Sequence, residues 1–237
     1  SITKNVLALL LAFALILVIF LNIAKRYKSP NTVPSGLQNA LEPIIMFVRD
    51  DIAKPMIGEK KYQKFTPYLL TLFFFILITN MLGLIPGGAN LTGNIAVTAF
   101  LALMTWILTM FNSNRGYWKH MVSAPAGAPK ALVILLAPIE LLSNVMIKPF
   151  ALMIRLFANM MAGHMIILCL ICLIFIFGAM RIWLGYTIAP VSIAFTLFIY
   201  AIEVLVAFIQ AFIFTMLSAL FIGEAIADHS HEHKDAH

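Results

Sequence analysis

Charge is what this sequence has least of. Only 11% of its 237 residues are Asp, Glu, Lys or Arg, against 62% hydrophobic residues. A soluble domain of this length needs far more polar surface. Period-two alternation is missing too: the apolar runs are uniformly apolar, which argues against the strands of a membrane barrel. Cysteine is limited to Cys169 and Cys172, set in the run HMIILCLICLIF. With no second ligand pair, they read as small hydrophobes rather than a redox or metal pair. A phosphate-binding glycine loop is absent, so nucleotide chemistry is not expected on this chain. Nucleic acid is also excluded as a partner. The net charge is +6, but the basic residues flank hydrophobic runs, where they anchor at headgroups and set orientation.

What the sequence has is hydrophobic length. An apolar run of about 20 residues, wound as a helix, matches the hydrocarbon layer. The expected fold class is therefore all-α: a single integral membrane domain over residues 1–237, its partner the lipid bilayer. Residues 1–30 form an N-terminal anchor, with a span from Val6 to Ala24 and then Lys25, Arg26 and Lys28, like a stop-transfer signal rather than a cleavable one. Residues 31–64 carry Pro34, Pro43 and Pro55 and place Leu37, Leu41, Ile44, Ile45, Val48 and Ile52 on one helical stripe, with Arg49, Asp50 and Asp51 elsewhere. That suits an amphipathic helix lying in the interface; a loop packed on a partner subunit is the alternative.

Residues 65–227 read as the helical core. Spans run from Pro67 to Ile85 and from Asn94 to Phe111, with a turn at Pro86 to Gly88 between them. Residues 131–147 are interrupted by Pro138, Glu140, Ser143 and Asn144 and run almost directly into the next helix, so they read as a partial or tilted membrane helix. Two long helices follow, roughly 149–178 and 188–224. At about 45 and 55 Å they exceed the roughly 30 Å hydrocarbon layer and are expected to tilt strongly, antiparallel to each other. The count is five full crossings plus the partial helix. Basic residues concentrate in 25–64 and 112–130, which puts the N-terminus outside and the C-terminus in the cytoplasm. Residues 228–237 form a His-rich tail, read as solvated and flexible rather than as a metal site.

Ionisable groups inside such spans are costly and are functional candidates by default. Arg155, His164, Glu203 and Gln210 stand out. A central Arg costs roughly 2.5–3.5 kcal/mol on insertion scales, and a guanidinium keeps its proton, so it attracts carboxylates without relaying protons. An anchoring Arg or a buried ion pair is the structural alternative. In antiparallel neighbours, facing residues have a nearly constant index sum. That sets Arg155 level with Gln210 and His164 level with Glu203, in layers about 10–13 Å apart. His164 and Glu203 have the chemistry of a proton relay; a static pair holding two helices together is the alternative. Asn159 lies one turn from Arg155 and can orient it. Glu140 and Asn144 form another polar pair on the broken segment.

The stretches PIELLSNVMIKPFALMIRLFANMMAGH and YAIEVLVAFIQAFIFTMLSALFIGEA resemble subunit a of F-type ATP synthases. FVRDDIAKPMIG and FTPYLLTLFFFILITNMLGLIPG add to the likeness, which covers most of the chain after residue 36. The resemblance implies a stator subunit pressed against a rotating ring of c subunits, each carrying one membrane carboxylate. It also implies peripheral stalk b subunits and the other ATP synthase subunits as partners, proton transport coupled to ATP synthesis, and no cofactor. Two offset half-channels load and unload the ring. Arg155 matches the arginine that separates them, Gln210 the glutamine facing it, and Asn159 an asparagine of the same motif. His164 and Glu203 match the pair lining the outer half-channel, and Glu140 a carboxylate of the inner path. Members often carry an Asp near the start of the third span; Asn94 stands there instead, so that mouth lacks one titrating group. The expected location is a bacterial inner membrane, with the mitochondrial one as alternative. The competing functions are a metal-ion transporter using His164 and the tail, and a structural membrane subunit with incidental polar pairs.

Overall fold

A computed structural model describes residues 4–27, 37–59, 61–85, 91–114 and 142–226, and among them every regular element is a helix. Helix α1 is Lys4–Tyr27, α2 Leu37–Phe47, α3 Lys54–Ile57, α4 Tyr62–Leu84, α5 Ile95–Phe111, α6 Lys148–Met180 and α7 Ile182–Ile226. Six residues of π-helix, Val48–Ala53, join α2 to α3, and Ser143–Ile147 run as π-helix straight into α6. Three helices are long and apolar enough to cross a membrane: Tyr62–Leu84, Lys148–Met180 and Gly185–Ile226. Shorter apolar helices cover Asn5–Leu21 and Ile95–Phe111. The turn expected at Pro86 to Gly88, most of the 131–147 segment and the His-rich tail lie outside the described residues.

Buried hydroxyls inside these helices satisfy themselves locally, as such groups must where water is scarce. Thr66, Thr79, Thr105, Thr109, Thr215 and Ser218 each donate to the carbonyl four residues back, at 2.7–3.1 Å. With no hydrophobic force between helices in lipid, close packing of small residues does the joining. Helix α7 presents Ala207, Ala211, Ala219 and Ala225, all fully buried, beside the fully buried Thr215 and Ser218. Gly223 carries this furthest: a Cβ there would lie 1.9 Å from the Met56 carbonyl oxygen.

The main core gathers Leu69, Phe73 and Ile76 of α4, Leu152 and Leu156 of α6, Phe214 and Ile222 of α7, and Val48, Ile52 and Ile57 of the proline-punctuated segment. From Leu41 to Ile52 the expected apolar stripe is thus spent on the protein's own core, with Leu41, Ile44 and Ile45 packed against it. Helices α6 and α7 form an antiparallel hairpin, packed along its length. Only Arg181 separates them, so the last helix begins six residues before the expected position 188. Pro190 sits inside it. Gly185 makes the sharp reversal possible, since a Cβ there would come within 2.9 Å of the Gly178 Cα. The outward side of the hairpin is apolar and uncovered, as at Ile166, Leu168, Phe175, Leu197 and Phe198. Apolar surface on this scale calls for lipid or another protein.

Candidate functional site

The end of α4 supplies the floor of the site. The last four carbonyls of a helix lack partners within it. Two of them are met from the hairpin: Gly83 by His164 Nε2 at 3.0 Å, and Leu84 by the Tyr200 hydroxyl at 3.1 Å. The other ring nitrogen of His164, Nδ1, lies 3.1 Å from the Met160 carbonyl and 3.9 Å from Glu203 Oε1. A neutral imidazole donates through one nitrogen at a time, whereas a charged ring donates through both. Proton arrival at His164 therefore adds a donor where a carbonyl already waits.

Glu203 reaches its place because α6 has no side chain opposite it. A Cβ on Gly163 would lie 1.8 Å from Glu203 Oε1 and 2.7 Å from its carboxyl carbon. Oε2 of the same carboxylate is buried with no hydrogen-bond partner. Next along α7, Asn80 of α4 donates from Nδ2 to the Ala207 carbonyl at 3.4 Å while its Oδ1 is buried and unpartnered. Farther on, Gln210 Oε1 accepts from Asn159 Nδ2 at 3.2 Å, and Gln210 Nε2 is again buried without a partner. Three orphaned polar atoms thus follow one another along α7, each the kind of group for which buried water normally provides the missing bond.

Arg155 stands apart. Its side chain is exposed on α6, and it makes no hydrogen bond or ion pair among the described residues. Nine residues separate it from His164, half a turn around the helix at about 100° per residue, so the two point to opposite sides. The expected layer of Arg155 with Gln210 is realised differently, because Gln210 is met by Asn159, one turn away. The constant-sum forecast assumed equal path lengths along both helices. Between the Gly178–Gly185 approach and the Asn159–Gln210 bond, α7 spends more residues than α6, so its path is the more curved or oblique.

The remaining candidates fall variously. Asn94 caps α5, accepting from the Ala96 amide at 3.0 Å. Asn144 lies in the π-helical turn Ser143–Ile147, and Glu140 lies outside the described residues. Cys169 and Cys172 are free and exposed on the apolar surface. Sequence reading missed Gly163, Gly83, Tyr200 and Asn80. Gly163 precedes His164 directly and was the one readable signal, since a glycine inside a long helix costs about 1 kcal/mol against alanine and so asks for a packing reason. At the far end of the hairpin, Lys148 Nζ pairs with Glu224 at 2.5 Å and sits 4.9 Å from the Phe221 ring centre.

Comparison with known proteins gives these positions a context. The family profile described as ATP synthase A chain matches residues 6–223. ATP synthase subunit a of Chloroherpeton thalassium is 44% identical over 249 residues, covering 100% of this chain and 72% of its own. ATP synthase subunit a 2 of Prosthecochloris aestuarii is 48% identical over 245 residues, with 100% and 72% covered. ATP synthase subunit a of Chlorobium phaeobacteroides is 48% identical over 245 residues, with 100% and 69% covered. With the match running nearly end to end, the chain belongs to the ATP synthase A chain family, that of subunit a.

Proposed function

We propose that this multi-pass membrane subunit is the proton-translocating stator of an F-type ATP synthase, and that its working parts divide between the two sides of α6. Inside the hairpin, His164 and Glu203 take protons from the outer side, and the orphaned atoms of Glu203, Asn80 and Gln210 hold water along α7. On the exposed side, Arg155 meets the carboxylates of a rotating c-ring, separates two offset half-channels, and never carries the proton itself. Asn159 and Gln210 bridge the two sides. Glu140 and Asn144 serve the inner path, and Asn94 stands near the outer mouth as a helix cap that cannot titrate.

The single observation that carries the reading is Arg155 itself. A guanidinium in a membrane helix is expensive, and this one lacks any counter-charge among the described residues. A charge of that kind needs a partner from outside, and a passing carboxylate provides one. In this reading the chain crosses the membrane five times, with the partial helix before α6 and residues 31–64 at the inner surface. Its N-terminus is outside, its C-terminus in the bacterial cytoplasm, and peripheral b subunits brace it. The energetic logic is general. A potential of 100 mV is worth about 2.3 kcal/mol per charge; a straight pore would dissipate it, while a fixed cation between two dead-end paths forces each proton onto the ring. The test is ATP-driven proton pumping by the reconstituted complex carrying Arg155→Ala. Coupled pumping is expected to vanish, and normal pumping would overturn the assignment.

A further inference from the structure

Arg155 stands between two paired layers of the α6–α7 hairpin, and only the outer one enters the proposed proton path with a carboxylate. Nine residues toward the hairpin's turn lies the layer of His164 and Glu203; seven residues the other way lies that of Lys148 and Glu224. These two glutamates are the only carboxylates of α6 and α7. Around α6, at about 100° per residue, Lys148 falls within about 20° of Arg155 and about 10 Å along the axis, while His164 falls opposite. Glu224 belongs to the same side. On α7 it lies within about 40° of Gln210, and Gln210 is met by Asn159, itself about 40° from Arg155. The inner pair is also open to its surroundings: the Glu224 side chain is 45% exposed, while Ile222, Ala225 and Ile226 around it are buried.

As a clasp this pair is worth little. An ion pair exposed to this degree adds at most a factor of about five to a folding equilibrium, and the same helix ends already share a core of Leu152, Phe214 and Ile222. Its chemistry offers more. A lysine ammonium only donates, whereas a carboxylate takes up a proton and gives it back. We infer that Glu224 is the inner-side proton station of this subunit, exchanging protons between the ring carboxylates and cytoplasmic water. The inference rests on the stator role proposed above and on its topology, which sets this end of the hairpin at the cytoplasm. During synthesis a protonated ring carboxyl arriving beside Arg155 loses its proton, through water, to the Glu224 carboxylate; one O–H bond breaks as another forms. Glu224 then releases the proton to cytoplasmic water and pairs with Lys148 again. Lys148 waits in place because the Phe221 ring, 4.9 Å from Nζ, holds the ammonium while Glu224 is neutral. ATP-driven pumping runs the same steps backward.

The test uses the assembled ATP synthase in vesicles whose cytoplasmic face looks out into the bath, so that ATP-driven pumping draws protons through the inner path. Glu224→Gln keeps an oxygen for Lys148 but cannot take up a proton. In an alkaline, weakly buffered bath its pumping per assembled complex should slow about tenfold. That is short of the roughly 10²–10⁴-fold of an enclosed acid–base group, because water reaches a side chain that is 45% exposed. Glu224→Asp should keep most of the rate. An impermeant sulfonate buffer in the bath should restore Glu224→Gln, since its protonated form delivers the proton that the carboxyl no longer supplies; the same buffer in the vesicle lumen should not. Normal pumping by Glu224→Gln without buffer overturns the assignment. So does a loss that bath buffer leaves unrelieved, which would return the pair to a structural role. Arg155→Ala, measured alongside, separates the two readings. If it fails to pump while Glu224→Gln pumps normally, only the station falls; if it pumps normally, the stator role falls first.

Discussion

Replacing Gly163 with alanine sets two effects against each other, and their magnitudes decide the sign. Alanine is the better helix former, by about 0.8–1.0 kcal/mol in a helix interior. Against this, the new methyl group would sit 1.8 Å from Glu203 Oε1, about half of a normal contact distance of roughly 3.5–4.0 Å. Glu203 ends in a flexible chain, so the carboxylate yields rather than the backbone. The helix keeps its propensity gain, and the complex should assemble at least as well as before. What is lost is the approach to His164. In a charged pair with an effective dielectric of about 20, widening 3.9 Å to roughly 5.5 Å forfeits about 1.2 kcal/mol. That is a factor of about eight in a rate that depends on the pair.

The expected outcome is therefore a normal yield of complex with ATP-driven proton pumping slowed about eightfold. Gly178 provides the control on the same helix, because a Cβ there meets nothing within 4 Å, and Gly178→Ala should pump normally. The assay is fluorescence quenching in vesicles containing equal amounts of each complex. Unchanged pumping in Gly163→Ala would show that the Glu203–His164 approach is only structural. An equal loss in Gly178→Ala would show that helix stiffness, not the carboxylate, is being measured.

Asn80→Leu removes a buried amide whose Oδ1 has no partner, so stability should hold or rise, since an orphaned polar group costs about 1–3 kcal/mol. Pumping should nevertheless fall, and a variant both destabilised and fully active would refute the water-holding role. Gly223→Ala should act oppositely to Gly163→Ala. Its methyl group would strike the Met56 backbone carbonyl at 1.9 Å, which cannot swing aside, so a loss of about 1–3 kcal/mol is expected, read as lower yield and a lower Tm of the complex. Two Arg49 hydrogen bonds of 2.9 Å, and then its charge, hold the Asp50 carboxyl below the usual 3.8. A lowered value means that the pairing is intact above pH 3.8 and fades as pH falls through the lowered pKa. Arg49→Gln should move the Asp50 midpoint upward in a carboxylate-labelled infrared titration.

Much of this was legible before any coordinates. Length and hydropathy alone placed α4, because a run this apolar has one environment available to it. The stripe from Leu41 to Ile52 was legible as a face but not as a destination. Periodicity reports that one side avoids water, and says nothing of whether lipid or α4 covers it. The start of α7 was misplaced because residues 179–187, Gly185 among them, read as the connection, whereas Gly185 is there to let two helix ends touch. His164 and Glu203 could be paired by arithmetic along the hairpin, yet Gly83 and Asn80 could not. They come from α4, whose register against the hairpin is set by three-dimensional packing of small residues rather than by any spacing in the sequence.

The two polar sets on α6 cannot exchange a proton directly. His164 and Arg155 leave the helix on opposite sides, and the groups between them, Asn159 and Gln210, are amides that orient water but do not titrate. In the proposed mechanism a proton that has reached Glu203 passes through water at Gln210 and Asn80 or leaves the chain altogether. In that mechanism Arg155 bars the first route from continuing across, because a permanent cation on an uncovered face repels a proton and attracts a carboxylate. The only acceptor compatible with that electrostatics is one that arrives neutral or anionic from outside, takes the proton, and moves on. On this proposal the fixed subunit works against a moving partner, and the asymmetry of α6, packed on one side and bare on the other among the described residues, is the form that requirement takes in a single helix.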